Sequence, residues 1–168
     1  MLNRLILKFA PYNTKIQYLR KQGMTIGAGC EILNGFEFGS EPYLITLGNN
    51  VRIVSGVRFI THDGGVWVLR HLSQELNDID LFGPITVGDN CHIGTNVIVM
   101  PNVTIGNNCI IGCGAVVTRD IPDNSIAVGI PARVIKTIGD YEKQHMRDFV
   151  HTKNLSWDEK KKFIQSNM

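Results

Sequence analysis

A period of six governs the middle of this chain. Across Ile85–Ile121, Val87, Ile93, Val99, Ile105, Ile111 and Val117 recur every six residues, and Cys91, Val97, Val103, Cys109, Ala115 and Ile121 follow four residues after each. With 43% of the residues hydrophobic, twelve independent matches would arise by chance roughly 4 times in 100,000. The position three after each anchor reads Asn90, Asn96, Asn102, Asn108, Gly114 and Asp120, residue types that tolerate a left-handed backbone at a tight corner. A spacing of six fits neither the 3.6-residue helix nor an alternating strand. It fits very short strands joined by corners, three hexads to a circuit, stacked so that neighbouring circuits bury what no single one could. The pattern predicts a β-solenoid of unspecified hand.

The repeat extends backwards. Hexads open at Ile26, Ile32 and Phe38, with Cys30 and Phe36 as partners and Gly29 and Gly35 at corners. The phase slips by three residues across SEPYLIT and resumes at Leu47, Ile53 and Phe59, with Val51 and Val57 inward and Asn50 and Gly56 at corners. The hexad opened by Phe59 fails, since Asp63 stands where an apolar partner belongs and His62 takes the corner. The following excursion, about residues 61–84, has no repeat and carries Trp67, Arg70, His71, Glu75, Asp78 and Asp80. Unpatterned insertions of this length in compact domains are usually functional. This one is expected to lie over a cleft or reach a neighbouring subunit.

These features divide the chain into an N-terminal arm or helix (1–22), a repeat domain (23–138) and a helical tail (139–168). Leu2, Leu5, Ile6 and Phe9 at helix-like spacing suggest an amphipathic segment packed on its own protein, with a weak membrane-surface role as the alternative. IPDNSIAVGIPARVIKTI finishes the solenoid with two Pro-marked turns. Ser156 and Glu159 form a capping box for a helix through Lys160–Ile164, and the tail is expected to close the open end of the core. A formal net charge of +2 gives no nucleic-acid footprint. No apolar run approaches a membrane span, and no cleavage site follows the start. The four cysteines lack CxxC spacing, and Cys30, Cys91 and Cys109 hold inward positions. These three are read as packing residues, Cys113 lies in the loop-like GCGA, and all four are read as reduced in a cytoplasmic protein, with no metal.

His62, in T-H-D-G-G where the excursion leaves the repeat, is the candidate general base for a hydroxyl proton. Asp63 is adjacent but would point away on an extended strand, so a backbone carbonyl or a carboxylate of the excursion (Glu75, Asp78 or Asp80) is an equal candidate to orient it.

The hexads, with FITHDGG before the excursion and GPITVGDNCHIG after it, resemble the hexapeptide-repeat acyltransferases, the left-handed parallel β-helix superfamily. Within it the closest layout is that of the galactoside and maltose acetyltransferases and the polysaccharide O-acetyltransferases. The left-handed winding is what this resemblance implies. It also implies acetyl-CoA as co-substrate, a sugar or glycan hydroxyl as acceptor, and a homotrimer with active sites between subunits. Carried over residue by residue, it makes His62 the catalytic base. It puts Thr95, Gly114 and Ala115 along the pantetheine, and Thr118, Arg119, Arg133 and Lys136 near the adenosine phosphates. Asn34, Trp67 and His92 fall on the acceptor side, His92 replacing a tryptophan common in the sugar acetyltransferases. Relatives that orient the histidine with an acidic residue one circuit earlier have no clear counterpart in this sequence. Two readings compete with acetyl transfer. One is a catalytically silent hexapeptide-repeat module for binding or assembly. The other is a γ-carbonic-anhydrase-like zinc lyase, whose histidine spacing fails here because Trp67 and Val97 stand five residues after His62 and His92.

Overall fold

The computed structural model describes residues 11–167, so the N-terminal segment carrying Leu2, Leu5, Ile6 and Phe9 lies outside the described residues. They fall into two compact units, one ending at Ile138 and one starting at Gly139.

In the first unit, helix α1 (Tyr12–Lys21) precedes the hexads, and twelve short strands follow the repeat. β1 (Thr25–Ile26), β3 (Ile45–Leu47), β6 (Ile85–Val87) and β9 (Val103–Ile105) form one parallel sheet, called A here. β2 (Glu31–Ile32), β4 (Arg52–Ile53), β7 (His92–Ile93), β10 (Ile110–Ile111) and β12 (Ser125–Val128) pair in parallel as sheet B. β5 (Arg58–Phe59), β8 (Ile98–Val99) and β11 (Val116–Val117) form sheet C. The chain visits A, B and C in the same cyclic order, and where the first circuit lacks a C strand and the last an A strand, single bridges (Glu37 to Arg58, Ile121 to Ile105) hold the place. A final strand, β13 (Arg133–Thr137), pairs antiparallel with β12 where two Pro-marked turns were expected.

Register makes the core. Anchor stacks on anchor in three columns: Ile26, Leu47, Val87 and Ile105 in A, Ile32, Ile53, Ile93 and Ile111 in B, Phe59, Val99 and Val117 in C. Each of these side chains is buried, and so are the partners Val51, Val57, Cys91, Val97, Val103, Cys109 and Ala115. A slip of one residue in any strand would turn its anchor outward and leave a hole in the column, so the hexad fixes the register. Ile26 to Leu47 spans one circuit of 18 plus 3 residues, and Leu47 to Val87 one circuit plus 22, so both insertions leave the columns in phase.

The corners follow the same logic. Asn50, Asn90, Asn96, Asn102 and Asn108 have φ between 53° and 61°, and Gly29, Gly35, Gly56 and Gly114 share the left-handed region. Asparagine adds a side chain that pairs along the stack, with Asn90 Nδ2 donating to Asn108 Oδ1 and Asn108 Nδ2 to Asn124 Oδ1, both at 2.9 Å. Asp120 departs from the expected pattern, since it is absent from the left-handed set. Its carboxylate instead accepts the Thr104 backbone N–H at 2.7 Å.

The inward thiols serve packing. Cys30, Cys91 and Cys109 are buried and free, and each donates to a backbone carbonyl of an adjoining circuit (Gly48, Gly106 and Pro122) at 3.0–3.2 Å. The hydrogen bond with Cys109, together with burial, pushes the Cys91 thiol far up, so it stays uncharged.

The second unit carries α3 (Ile138–His145), whose first residue closes the first unit, and α4 (Trp157–Asn167). The capping box forms as the sequence predicts. Ser156 N donates to Glu159 Oε2 at 2.8 Å, and Glu159 N to Ser156 Oγ at 3.4 Å.

Candidate active site

The site is built where the third circuit cannot start on time. Thr61 and His62 follow β5 at the corner between sheets C and A, and there the 22-residue excursion leaves. Its base is tied shut by antiparallel pairing, with Asp63 N donating to Leu81 O and Gly83 N to Thr61 O, both at 2.8 Å. His62 is therefore held by main chain on both sides while its ring, 46% exposed, faces solvent.

One circuit earlier, the three-residue slip places Glu41 against that ring. Glu41 precedes the 3₁₀ turn Pro42–Leu44, and its side chain is only 12% exposed. Its Oε2 lies 3.1 Å from His62 Nδ1 and accepts the Thr61 hydroxyl at 2.7 Å. Hydrogen bonding from the Ser40 side chain, then from Thr61 and His62, holds the Glu41 carboxyl below its ordinary value against the opposing effect of burial. An ionised carboxylate can only accept, so the proton on this contact belongs to His62 Nδ1 and Nε2 is left as the lone-pair nitrogen. This corrects the sequence reading, which found no acidic counterpart one circuit earlier. The signal was available: a glutamate inside the only short insertion of the repeat. What the sequence could not show is that the insertion folds back beneath residue 62.

Two of the other candidate orienters, Asp63 and Asp80, are engaged elsewhere. Asp63 Oδ1 accepts the Gly65 N–H at 2.7 Å, as an Asx turn. Asp80 pairs with Arg70, which also donates to Ile79 O at 2.7 Å. The excursion is more ordered than its lack of repeat suggested. It contains helix α2 (Val66–Leu72), on which Trp67 stands 63% exposed with its ring 4.5 Å from that of His71.

The remaining predicted residues divide among three places. Thr118 and Arg119 share the C–A corner type with His62 and are exposed. Asn34, Thr95 and Gly114 sit at B–C corners, where Gly114 N donates to Thr95 O at 2.8 Å and a side chain grown from Gly114 would meet open space. Asn34 accepts a hydrogen bond from Lys15 of α1. Ala115 is an inward core residue, its N–H bonded to Gly112 O at 3.3 Å and its carbonyl to Ile98 N at 2.9 Å. Arg133 and Lys136 lie on β13, and the Arg133 guanidinium donates to Ala132 O at 2.8 Å. His92 is half-buried on sheet B between Arg52 and Ile110, and burial, then Arg52, lowers its basicity. Within one chain, then, His62 and the Asn34–Thr95–Gly114 set occupy different corners. Among the described residues no group of three His, Cys, Asp or Glu could hold a metal, and no helix is long and apolar enough to cross a membrane.

Comparison with known proteins matches residues 84–119 to the family model "Bacterial transferase hexapeptide (six repeats)". The chain is 48% identical over 165 residues to protein CapG of Staphylococcus aureus, covering 97% of this chain and 94% of CapG. It is 40% identical over 105 residues to galactoside O-acetyltransferase of Escherichia coli (strain K12), but these cover 62% of this chain and only 50% of that enzyme. The structure of a galactoside acetyltransferase in complex with coenzyme A superposes with a TM-score of 0.56 at 29% identity, over 83% of this chain and 79% of the other.

Proposed function

The chain belongs to the hexapeptide-repeat transferases and is an acyltransferase, and from that premise we propose that it uses acetyl-CoA to O-acetylate a sugar hydroxyl, with His62 as general base. The observation that most supports this reading is the Glu41–His62 pair. Glu41 fixes the tautomer that leaves the lone pair on His62 Nε2, in a side chain that is half exposed. In the proposed step Nε2 takes the acceptor hydroxyl proton as the oxygen bonds to the thioester carbonyl carbon. The tetrahedral oxyanion then collapses, the C–S bond breaks, and the departing thiolate takes the proton back from the imidazolium. Glu41 favours the imidazolium by charge and does not itself change protonation.

The fold is read as the left-handed parallel β-helix of this family. Its candidate coenzyme residues support a shared site, because Thr95 and Gly114 lie on a different corner from His62. A groove between two copies would bring the two corners together, and a homotrimer does so three times. Thr118, Arg119, Arg133 and Lys136 supply the cationic and hydrogen-bonding character that a phosphorylated ADP needs. The acceptor is placed in surface-polysaccharide or glycoconjugate synthesis, in the cytoplasm, with Asn34, Trp67 and His92 on the acceptor side.

The test is release of coenzyme A thiol with a panel of sugar acceptors, wild type beside His62→Ala. Loss of general-base catalysis costs about 10²–10⁴-fold, and coenzyme A binding should survive. A wild type that neither binds coenzyme A nor turns over would end the transferase reading. Activity surviving in His62→Ala would end the assignment of the base.

A further inference from the structure

A pocket of about 430 Å³ opens where α1 meets the first circuit, and the chemistry assigned to His62 leaves it unused. Tyr18 of α1 and Gln22, just past its end, form one wall, and Phe36, Glu37, Phe38 and Ser40 form the other. Both walls are fixed. The Arg20 guanidinium donates to the carbonyls of Ile26 at 2.6 Å and Gly27 at 3.0 Å, and Lys15, 3% exposed, donates to Asn34 Oδ1. Phe36 and Phe38 lie with ring centroids 4.9 Å apart, and Phe38 stacks on buried Phe59 at 5.2 Å.

The lining chooses among ligands. Among the described lining residues there is no lysine, arginine or histidine, so a phosphate or nucleotide meets no cation from them. Glu37, the one charged group among the described lining residues, is paired with Arg58 at 3.4 Å. A purely apolar guest would strip water from Gln22, Glu37 and Ser40 without replacing it. Aromatic faces beside an amide, a paired carboxylate and a hydroxyl suit a neutral polyhydroxylated ring. The volume falls within the range of roughly 300–1,000 Å³ typical of small-molecule sites.

Location links the pocket to the reaction. Its rim includes Ser40 and Pro42, the neighbours on either side of Glu41, whose carboxylate holds His62. We propose that this pocket binds a second glycosyl ring of the acceptor, so that the enzyme recognises an oligosaccharide or glycan chain over a free monosaccharide. The inference rests on the sugar-acceptor reading above, and its test separates the two.

Saturation-transfer NMR and thiol-release kinetics would be run with methyl glycosides of glucose, galactose and N-acetylglucosamine beside maltose, lactose and chitobiose. At least one disaccharide should bind tenfold or more tightly than its monosaccharide, with the same ratio in KM. Gln22→Ala and Phe36→Ala should abolish that ratio while leaving monosaccharide and coenzyme A binding unchanged. Gln22 is exposed at the end of α1, so its variant decides the matter if Phe36→Ala unfolds. Monosaccharide turnover with no disaccharide advantage would overturn the subsite and leave the transferase reading standing. Pocket-dependent disaccharide binding without turnover would do the reverse. Absence of any sugar binding, or an advantage that survives both variants, overturns the subsite.

Discussion

Replacing Glu41 by glutamine removes one charge from beside His62 and almost nothing else. The carboxylate is nearly buried and its Oε2 serves both the Thr61 hydroxyl at 2.7 Å and His62 Nδ1 at 3.1 Å. The amide oxygen can still accept both bonds, so the fold should hold, losing at neutral pH only the modest stability that the charge contributes. What is lost is the charge assistance to an imidazolium that exists fully only during transfer. A hydrogen bond to a charged group is worth about 1.5–3 kcal/mol. If all of that acts on the transition state, kcat falls roughly 10- to 150-fold, at about 1.4 kcal/mol per decade. The assay is coenzyme A thiol release under saturating donor, corrected for the protein's own exposed Cys113. KM for acetyl-CoA should not move. Because Glu41 acts through His62, the double variant with His62→Ala should be no slower than His62→Ala alone. A kcat within threefold of wild type, or a double variant slower by the product of the two losses, would refute the positioning role.

Further outcomes follow from the same geometry. Glu41 is held below its ordinary value of 4.5, so the stability it contributes is complete above that pH and lost as pH falls through its lower folded value. Denaturant midpoints of wild type and Glu41→Gln should therefore diverge above pH 4.5 and converge in stronger acid. Ile105→Ala opens a cavity at a fully buried anchor contacted above and below, and should cost about 2–5 kcal/mol by chemical denaturation. Asn96, at φ 58°, should tolerate glycine, whereas alanine there should cost about 1–2 kcal/mol on the same assay. A disulfide reagent should titrate one fast thiol per chain, Cys113, with the three buried cysteines reacting only on unfolding, and Cys113→Ser should remove the fast phase.

Legibility in the sequence followed periodicity closely. The anchors and partners could be named in advance because an 18-residue circuit returns each hexad to the same face, and burial of one apolar residue per turn is a local, repeated requirement. Left-handed corners could be named because only glycine and asparagine adopt them cheaply. His62 stood out for the opposite reason: it is where the repeat fails. Glu41 stayed hidden because the same insertion that carries it breaks the phase, and phase is the only ruler a repeat offers. The excursion showed its length but not its helix, nor the antiparallel pairing that locks its base.

The sequence by itself therefore determined the three-column core, the corner conformations and the position of the histidine, all of which depend on spacing along the chain. The tertiary structure alone decided which carboxylate meets that histidine, which tautomer results, and that α1 closes an aromatic pocket against the first circuit. Those contacts join Glu41 to His62, 21 residues away, and Lys15 to Asn34, 19 away. They lie between segments that share no period, so only folding, which sets one circuit upon another, brings their side chains within hydrogen-bonding reach.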